Sequence, residues 1–353
     1  METQNTIPAL KNVFRNDFVI GAALSIDQLT GKEPDSIALV EKHFNTITPE
    51  NIMKWEVIHP EPDKYNFEPA DLLVSLAQKN NMQVVGHNLV WHNQTPKWVF
   101  EDNNGKPLSR NALLDRMKEH IFTVMGRYKG KIFAWDVVNE AIIPDGQYRR
   151  SKWFDIIGQD YLVKAYEFAR EADPSAELYY NEYNMWKVPQ CVGVISLIRY
   201  LQSNGVKVDG LGIQGHWALD VPTHEQLETQ FKSLSTLGIK LMITELDVCV
   251  LPFADDYHNL RDLSSLPPEE QKRMSPYPDG MPEVVQKRLA DRYVELFSMF
   301  LKYNMRRVTF WGVQDGQSWR SYMPIRGRKD YPLLFDRQCR PKTAFDAVVK
   351  LRQ

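Results

Sequence analysis

The sequence predicts an α/β protein, a single-domain (β/α)8 TIM barrel, and three observations carry that expectation. Short apolar, β-favouring runs alternate with amphipathic helical stretches eight times. No break in composition, low-complexity tract or fixed-length repeat divides the 353 residues, a length that one large barrel accommodates. Polar and aromatic residues gather just after the strand-like runs, on what would be one face of the barrel. The expected domain spans 1–353, with a long surface loop at about 251–281.

The first strand is expected at 18–24, followed by a helix over 35–44 with Asp35 as its N-cap. Residues 45–48 form a short second strand that ends in Pro49-Glu50-Asn51. Residues 70–80 read as helix, and the third strand, 83–90, runs into Trp91-His92-Asn93-Gln94. Ser109 caps a long helix to about Tyr128. The fourth strand, 132–140, is short and apolar yet ends in Asn139-Glu140, before a loop marked by Pro144 and Gly146.

Helix 161–172 leads to a fifth strand at 177–180 and to Asn181-Glu182-Tyr183-Asn184. Helix 189–201 closes at Asn204-Gly205, and a sixth strand, 210–214, precedes Gly215-His216-Trp217. Thr223 caps a helix over 224–237. The seventh strand, 240–245, again ends in a carboxylate, with Leu246-Asp247 behind it. Residues 251–281 are rich in proline and charge without a sustained apolar period, which predicts a surface loop. A strongly periodic helix, 282–303, an eighth strand, 307–313, and a last helix, 342–351, complete the alternation.

A net charge of −2 without any block of like charge offers nucleic acid or a membrane surface no electrostatic purchase, so neither is expected as a partner. No apolar run approaches the roughly 20 residues that span a bilayer. Cys191, Cys249 and Cys339 form no CxxC and have no His at ligand spacing, so they read as buried free thiols. Met1-Glu2-Thr3-Gln4-Asn5 lacks the basic and apolar regions of a signal peptide. That leaves two expectations: a cytoplasmic protein, or an extracellular or periplasmic one whose leader has been replaced by a new Met.

Glu140 and Glu245, each expected at the tip of a buried strand, are the candidate catalytic groups. Two carboxyls facing one another are the minimum equipment for cleaving a glycosidic bond. Nine Trp and fifteen Tyr suit that chemistry as well as core packing, because flat rings match the C–H faces of sugars.

Six segments then share one resemblance. Pro49-Glu50-Asn51-Ile52-Met53-Lys54-Trp55, Gly86-His87-Asn88-Leu89-Val90-Trp91-His92, Trp135-Asp136-Val137-Val138-Asn139-Glu140, Gly212-Ile213-Gln214-Gly215-His216, Ile243-Thr244-Glu245-Leu246-Asp247 and Phe310-Trp311-Gly312-Val313 stand in order at strand ends. In them the chain resembles glycoside hydrolase family 10, the endo-β-1,4-xylanases, over essentially its whole length. Asn88 stands where the family often has Thr, and Glu182 where it often has Asp; neither change is expected to touch the chemistry.

The resemblance implies retaining hydrolysis of β-1,4-xylosidic bonds in xylan or xylo-oligosaccharides, with Glu140 as acid/base and Glu245 as nucleophile. Their carboxyls should then lie about 5–5.5 Å apart. Asn139 would bond the sugar 2-hydroxyl, and His216 with Asp247 would orient the nucleophile. Lys54, His87 and Gln214 would contact the sugar next to the scissile bond, and Glu50 and Asn51 the sugar beyond it. Trp91, Trp311 and Trp319 would form an aromatic wall, with Tyr183 and Asn184 at the leaving-group sugar. Trp135 and Asp136 read as supporting structure. The enzyme is expected to act as a monomer, with no cofactor and no metal. Three alternatives remain at this point. A metal-dependent barrel hydrolase would lose activity to a chelator, a non-catalytic sugar-binding protein would need neither glutamate, and the same chemistry could serve another β-glycan or sugar transfer.

Overall fold

Because a helix follows nearly every strand-like run, successive strands can pair only in parallel. The computed structural model describes residues 7–252 and 261–353. Its strands are β1 (Val19–Leu24), β2 (Thr46–Pro49), β3 (Gln83–Val90), β4 (Ala134–Asn139), β5 (Glu177–Glu182), β6 (Gly210–Ile213), β7 (His216–Ala218), β8 (Lys240–Cys249), β9 (Arg261–Asp262), β10 (Arg307–Phe310) and β11 (Ile325–Arg326). Each of β1 to β5 pairs with the next, β6 pairs with β8, β8 with β10, and β10 with β1, all in parallel. Eight staves therefore close on themselves, and no barrel edge is left open.

The helices lie outside and bury one apolar stripe each against the staves. Inside, Val85, Ala134, Tyr179 and Met242 pack together. The barrel floor is polar: Arg307 at the start of β10 donates to Thr46 Oγ1 and to Gln83 Oε1, each at the start of its own stave. Ser109 and Thr223 cap their helices as the sequence predicts, each hydroxyl accepting from the amide three residues on. No helix among the described residues is long and apolar enough to cross a membrane. All three cysteines are free, with Cys191 and Cys249 buried and Cys339 half-buried.

Several boundaries differ from the sequence expectation. Asp35 is not an N-cap: its helix, Pro34–His43, begins on the preset φ of Pro34, and Asp35 falls in the first turn. β4 stops at Asn139, and Glu140 adopts a left-handed φ of 58° just beyond it. β8 does not end at Glu245 but runs on to Cys249, because β7 pairs with its far half, His216 opposite Asp247. β10 ends at Phe310, since Gly312 turns the chain with a φ of 124°.

Of the loop expected at 251–281, residues 253–260 lie outside the described residues. The remainder carries β9, paired with β11, and a helix at Pro268–Met274. Leu266, Met274 and Ile325 form a small apolar cluster beneath it.

Gly86 on β3 sits opposite Trp135 on β4, and a Cβ there would come within 2.2 Å of the buried indole. Gly86→Ala is therefore expected to destabilise the fold by about 1–3 kcal/mol, read as a lowered urea midpoint. An unchanged midpoint would show that the ring moves aside freely.

Candidate active site

The staves deliver their C-terminal ends to one face, where a cleft of about 960 Å³ opens. Every site residue expected from the sequence lines it except Asp247, which is fully buried behind His216. Expected residues from seven of the eight staves or the loops after them thus meet in one place. The loop after β1 adds Ser25, Asp27 and Glu33, and the loops after β3 and β10 add further lining to which the sequence assigned no role, among it Gln94, Gln317 and Arg320.

Glu245 lies at the centre of a chain of charges. Its Oε2 is 3.0 Å from His216 Nε2, and His216 Nδ1 is 3.0 Å from Asp247 Oδ2. Asp247 also accepts from Trp319 Nε1 at 2.7 Å and from Arg320 Nε at 2.8 Å. Burial alone would discharge His216, but Asp247 and Glu245 on either side raise it to about 9, so it is an imidazolium at neutral pH. Burial likewise opposes charge on Glu245. The hydrogen bond from His216, with His87 and Lys54 nearby, outweighs it and holds that carboxyl below its ordinary range.

Glu140 meets the opposite conditions. Gln214 Nε2 donates to its Oε1 at 2.9 Å and Trp91 Nε1 to its Oε2 at 2.9 Å, and both donors are neutral. Burial is the largest influence on it and pushes the carboxyl up, and the charge on Glu245 pushes the same way. Hence one carboxyl is held ionised while its neighbour keeps its proton more tightly. That is the division of labour that acid-plus-nucleophile chemistry requires.

Around this pair, Asn139 Oδ1 accepts from Asn181 Nδ2 at 3.0 Å, and the same amide donates to Glu245 Oε1 at 2.7 Å. Lys54, almost fully buried, donates to Asn51 Oδ1 at 2.9 Å and to Gln94 Oε1 at 3.0 Å. Its ammonium also stands 4.9 Å from the Trp91 ring centroid. Burial pushes the carboxyl of Glu50 up, against the pull of Lys54. Trp311 meets the rings of His87 and His216 edge-on, and Trp319 that of His216, so both indoles brace the imidazoles as well as lining the cleft. Tyr183 accepts from Arg149 at 2.9 Å, and Asn184 lies beside it at the cleft wall.

Sequence reasoning underrated several partners. Asp136 bonds His87 Nδ1 at 2.8 Å, and the β3–β4 register sets these two residues opposite each other. Asn181 was visible as a strand-end Asn but received no role. Arg320 and Arg149 sit in loops, where nothing in the local sequence marks a partner 73 or 9 residues away. Among the described residues, no group of three or more His, Cys, Asp or Glu could hold a metal ion.

A family model described as glycosyl hydrolase family 10 matches residues 9–351. The Beta-1,4-xylanase of Dictyoglomus thermophilum is 43% identical over 98% of this chain and 91% of its own length. The Endo-1,4-beta-xylanase A of Xylanibacter ruminicola is 40% identical over 98% of this chain and 93% of its own. A solved GH10 endoxylanase retrieved from a sugarcane soil metagenome superposes with a TM-score of 0.92. It is 40% identical and covers 98% of this chain and 99% of its own.

The imidazolium has a consequence for stability. His216 is raised to about 9 from an ordinary 6.5, so its contribution is complete below the lower value and is lost as pH rises through the upper one. The stability advantage of the wild type over His216→Gln should hold steady to about pH 6.5 and shrink through about pH 9, in urea titrations at stepped pH. An advantage that stays constant to pH 10 would mean that His216 is not charged.

Proposed function

The chain belongs to glycosyl hydrolase family 10, and from that premise we propose that Glu140 and Glu245 divide the reaction between them. The enzyme hydrolyses internal β-1,4-xylosidic bonds of xylan with retention, by double displacement through a covalent glycosyl-enzyme intermediate. In our reading Glu245 attacks the anomeric carbon and forms an ester. As the glycosidic C–O bond breaks, Glu140 gives its proton to the departing oxygen. Glu140, now a carboxylate, takes a proton from water; the water oxygen bonds the anomeric carbon and Glu245 departs as carboxylate. The observation that carries the assignment is the opposite tuning of the two carboxyls, by His216 on one side and by burial among neutral donors on the other.

In our reading Asn139, tied through Asn181 to Glu245, bonds the 2-hydroxyl of the reacting sugar, a contact that tightens in the transition state. Asp247 and His216 keep Glu245 oriented and charged. Lys54, His87 and Gln214 hold the sugar at the scissile bond, Glu50 and Asn51 the next one, and Trp91, Trp311 and Trp319 wall it in. Tyr183 and Asn184 meet the leaving-group sugar. Residues 1–353 act as one catalytic domain and as a monomer, without a nucleic-acid partner. Both protons and electron pairs are supplied by the two carboxyls and water, so the sequence of steps calls for no cofactor.

Glu245→Ala should abolish hydrolysis while the unfolding transition stays in place. Glu140→Ala should lower kcat/KM by on the order of 10²–10⁴-fold for aryl xylobiosides with poor leaving groups, the range general acids supply. For leaving groups that need no proton the loss should be under about tenfold. Equal losses across the leaving-group series would count against Glu140 as the acid.

A further inference from the structure

We propose that Glu182 is a positioning residue that fixes the acid/base Glu140 through the backbone on its C-terminal side. The proposal rests on Glu140 being the acid/base. Glu182 ends β5, is fully buried and does not line the cleft, so it touches no substrate.

Glu140 has a φ of 58°, a conformation uncommon outside glycine, and persists in it only because its surroundings fix it. Four hydrogen bonds do so. On its own peptide groups, Glu140 N donates to the Asn181 carbonyl at 3.0 Å, and Arg149 Nε donates to the Glu140 carbonyl at 2.9 Å. The next two amides point at side chains: Ala141 N donates to the Tyr180 hydroxyl at 2.9 Å, and Ile142 N to Glu182 Oε2 at 3.0 Å. Tyr180 in turn donates its proton to Glu182 Oε2. Tyr180 and Glu182 are two residues apart on one strand and so project to the same side of it. One carboxyl oxygen therefore anchors both amides that follow Glu140.

The other oxygen, Glu182 Oε1, accepts from Tyr183 N at 3.2 Å, and the Tyr183 hydroxyl accepts from Arg149. The Glu182 carbonyl accepts from Gln214 N at 3.0 Å, and Gln214 is the residue whose amide donates to Glu140 Oε1. The hydrogen bonds of the Glu182 carboxyl and carbonyl thus lead to Glu140 or to a neighbour that holds it. Burial, and then the adjacent Glu140, push the Glu182 carboxyl up to about 8; hydrogen bonds, not an ion pair, keep it in place. A residue with this set of contacts serves proton delivery, where a displacement of about 1 Å can cost on the order of 10²-fold.

The test measures kcat/KM on phenyl and 2,4-dinitrophenyl β-xylobiosides for Glu182→Ala and Glu182→Gln, alone and combined with Glu140→Ala. Glu182→Ala should lose on the order of 10–100-fold on the phenyl substrate and under about threefold on the dinitrophenyl one. Glu182→Gln, which keeps an acceptor for Ile142 N, should fall between it and the wild type. With Glu140 already replaced, removing Glu182 should cost nothing further on either substrate. Equal losses on both substrates, no loss on either, or a full further loss in the Glu140→Ala background would overturn the proposal. If Glu140→Ala itself fails to discriminate the two leaving groups, the acid/base assignment falls instead. If Glu182→Ala does not fold, the Glu182→Gln comparison alone decides, by the same criteria.

Discussion

The bond between His216 and Glu245 is the constraint on which the site depends. A carboxylate in a closed pocket is strongly disfavoured unless paired. Here the pairing extends beyond one contact into an alternating series: Arg320, Asp247, His216 and Glu245, positive and negative in turn. Each member offsets the burial of the next. Asp247, fully buried, is held charged by Arg320 and His216, and that charge in turn keeps the imidazole protonated. Removing either inner member, Asp247 or His216, would leave a neighbour's charge without its partner in the barrel.

The barrel supplies this series through register. β7 is only three residues long, yet its pairing with the outer half of β8 sets His216 directly opposite Asp247. The same principle acts across the cleft, where β3 and β4 set His87 opposite Asp136. The loop after β10 closes the arrangement by bringing Trp319 and Arg320 down onto Asp247. A rigid, closed set of parallel staves is what allows such pairings to be held within hydrogen-bond tolerance.

On the acid side the design principle is that, among the described residues, the Glu140 carboxyl accepts hydrogen bonds from neutral donors and from no cation. Glu140 is held by an indole and an amide, which orient it while leaving its proton in place. Its backbone is pinned from both directions, and Glu182 reaches it from beneath without entering the cleft.

The sequence by itself determined the alternation of strands and helices, two of the helix caps, and the strand-end residues that would share a face. Those features arise from side chains acting on near neighbours in the chain, where periodicity and capping chemistry are legible. Even so, the limits of β4 and β8 were misjudged, because a left-handed Glu140 and an added strand partner for β8 depend on residues elsewhere. Only the tertiary structure decided which groups meet: Arg320 with Asp247, Asn181 with Glu245, Glu182 with the amide of Ile142. It also supplies the physical cause by which one glutamate, assigned as nucleophile by resemblance, is driven to ionise and the other to hold a proton. That outcome follows from burial and from charges separated by a few ångströms in space but by dozens of residues in the chain, and local sequence carries no record of either.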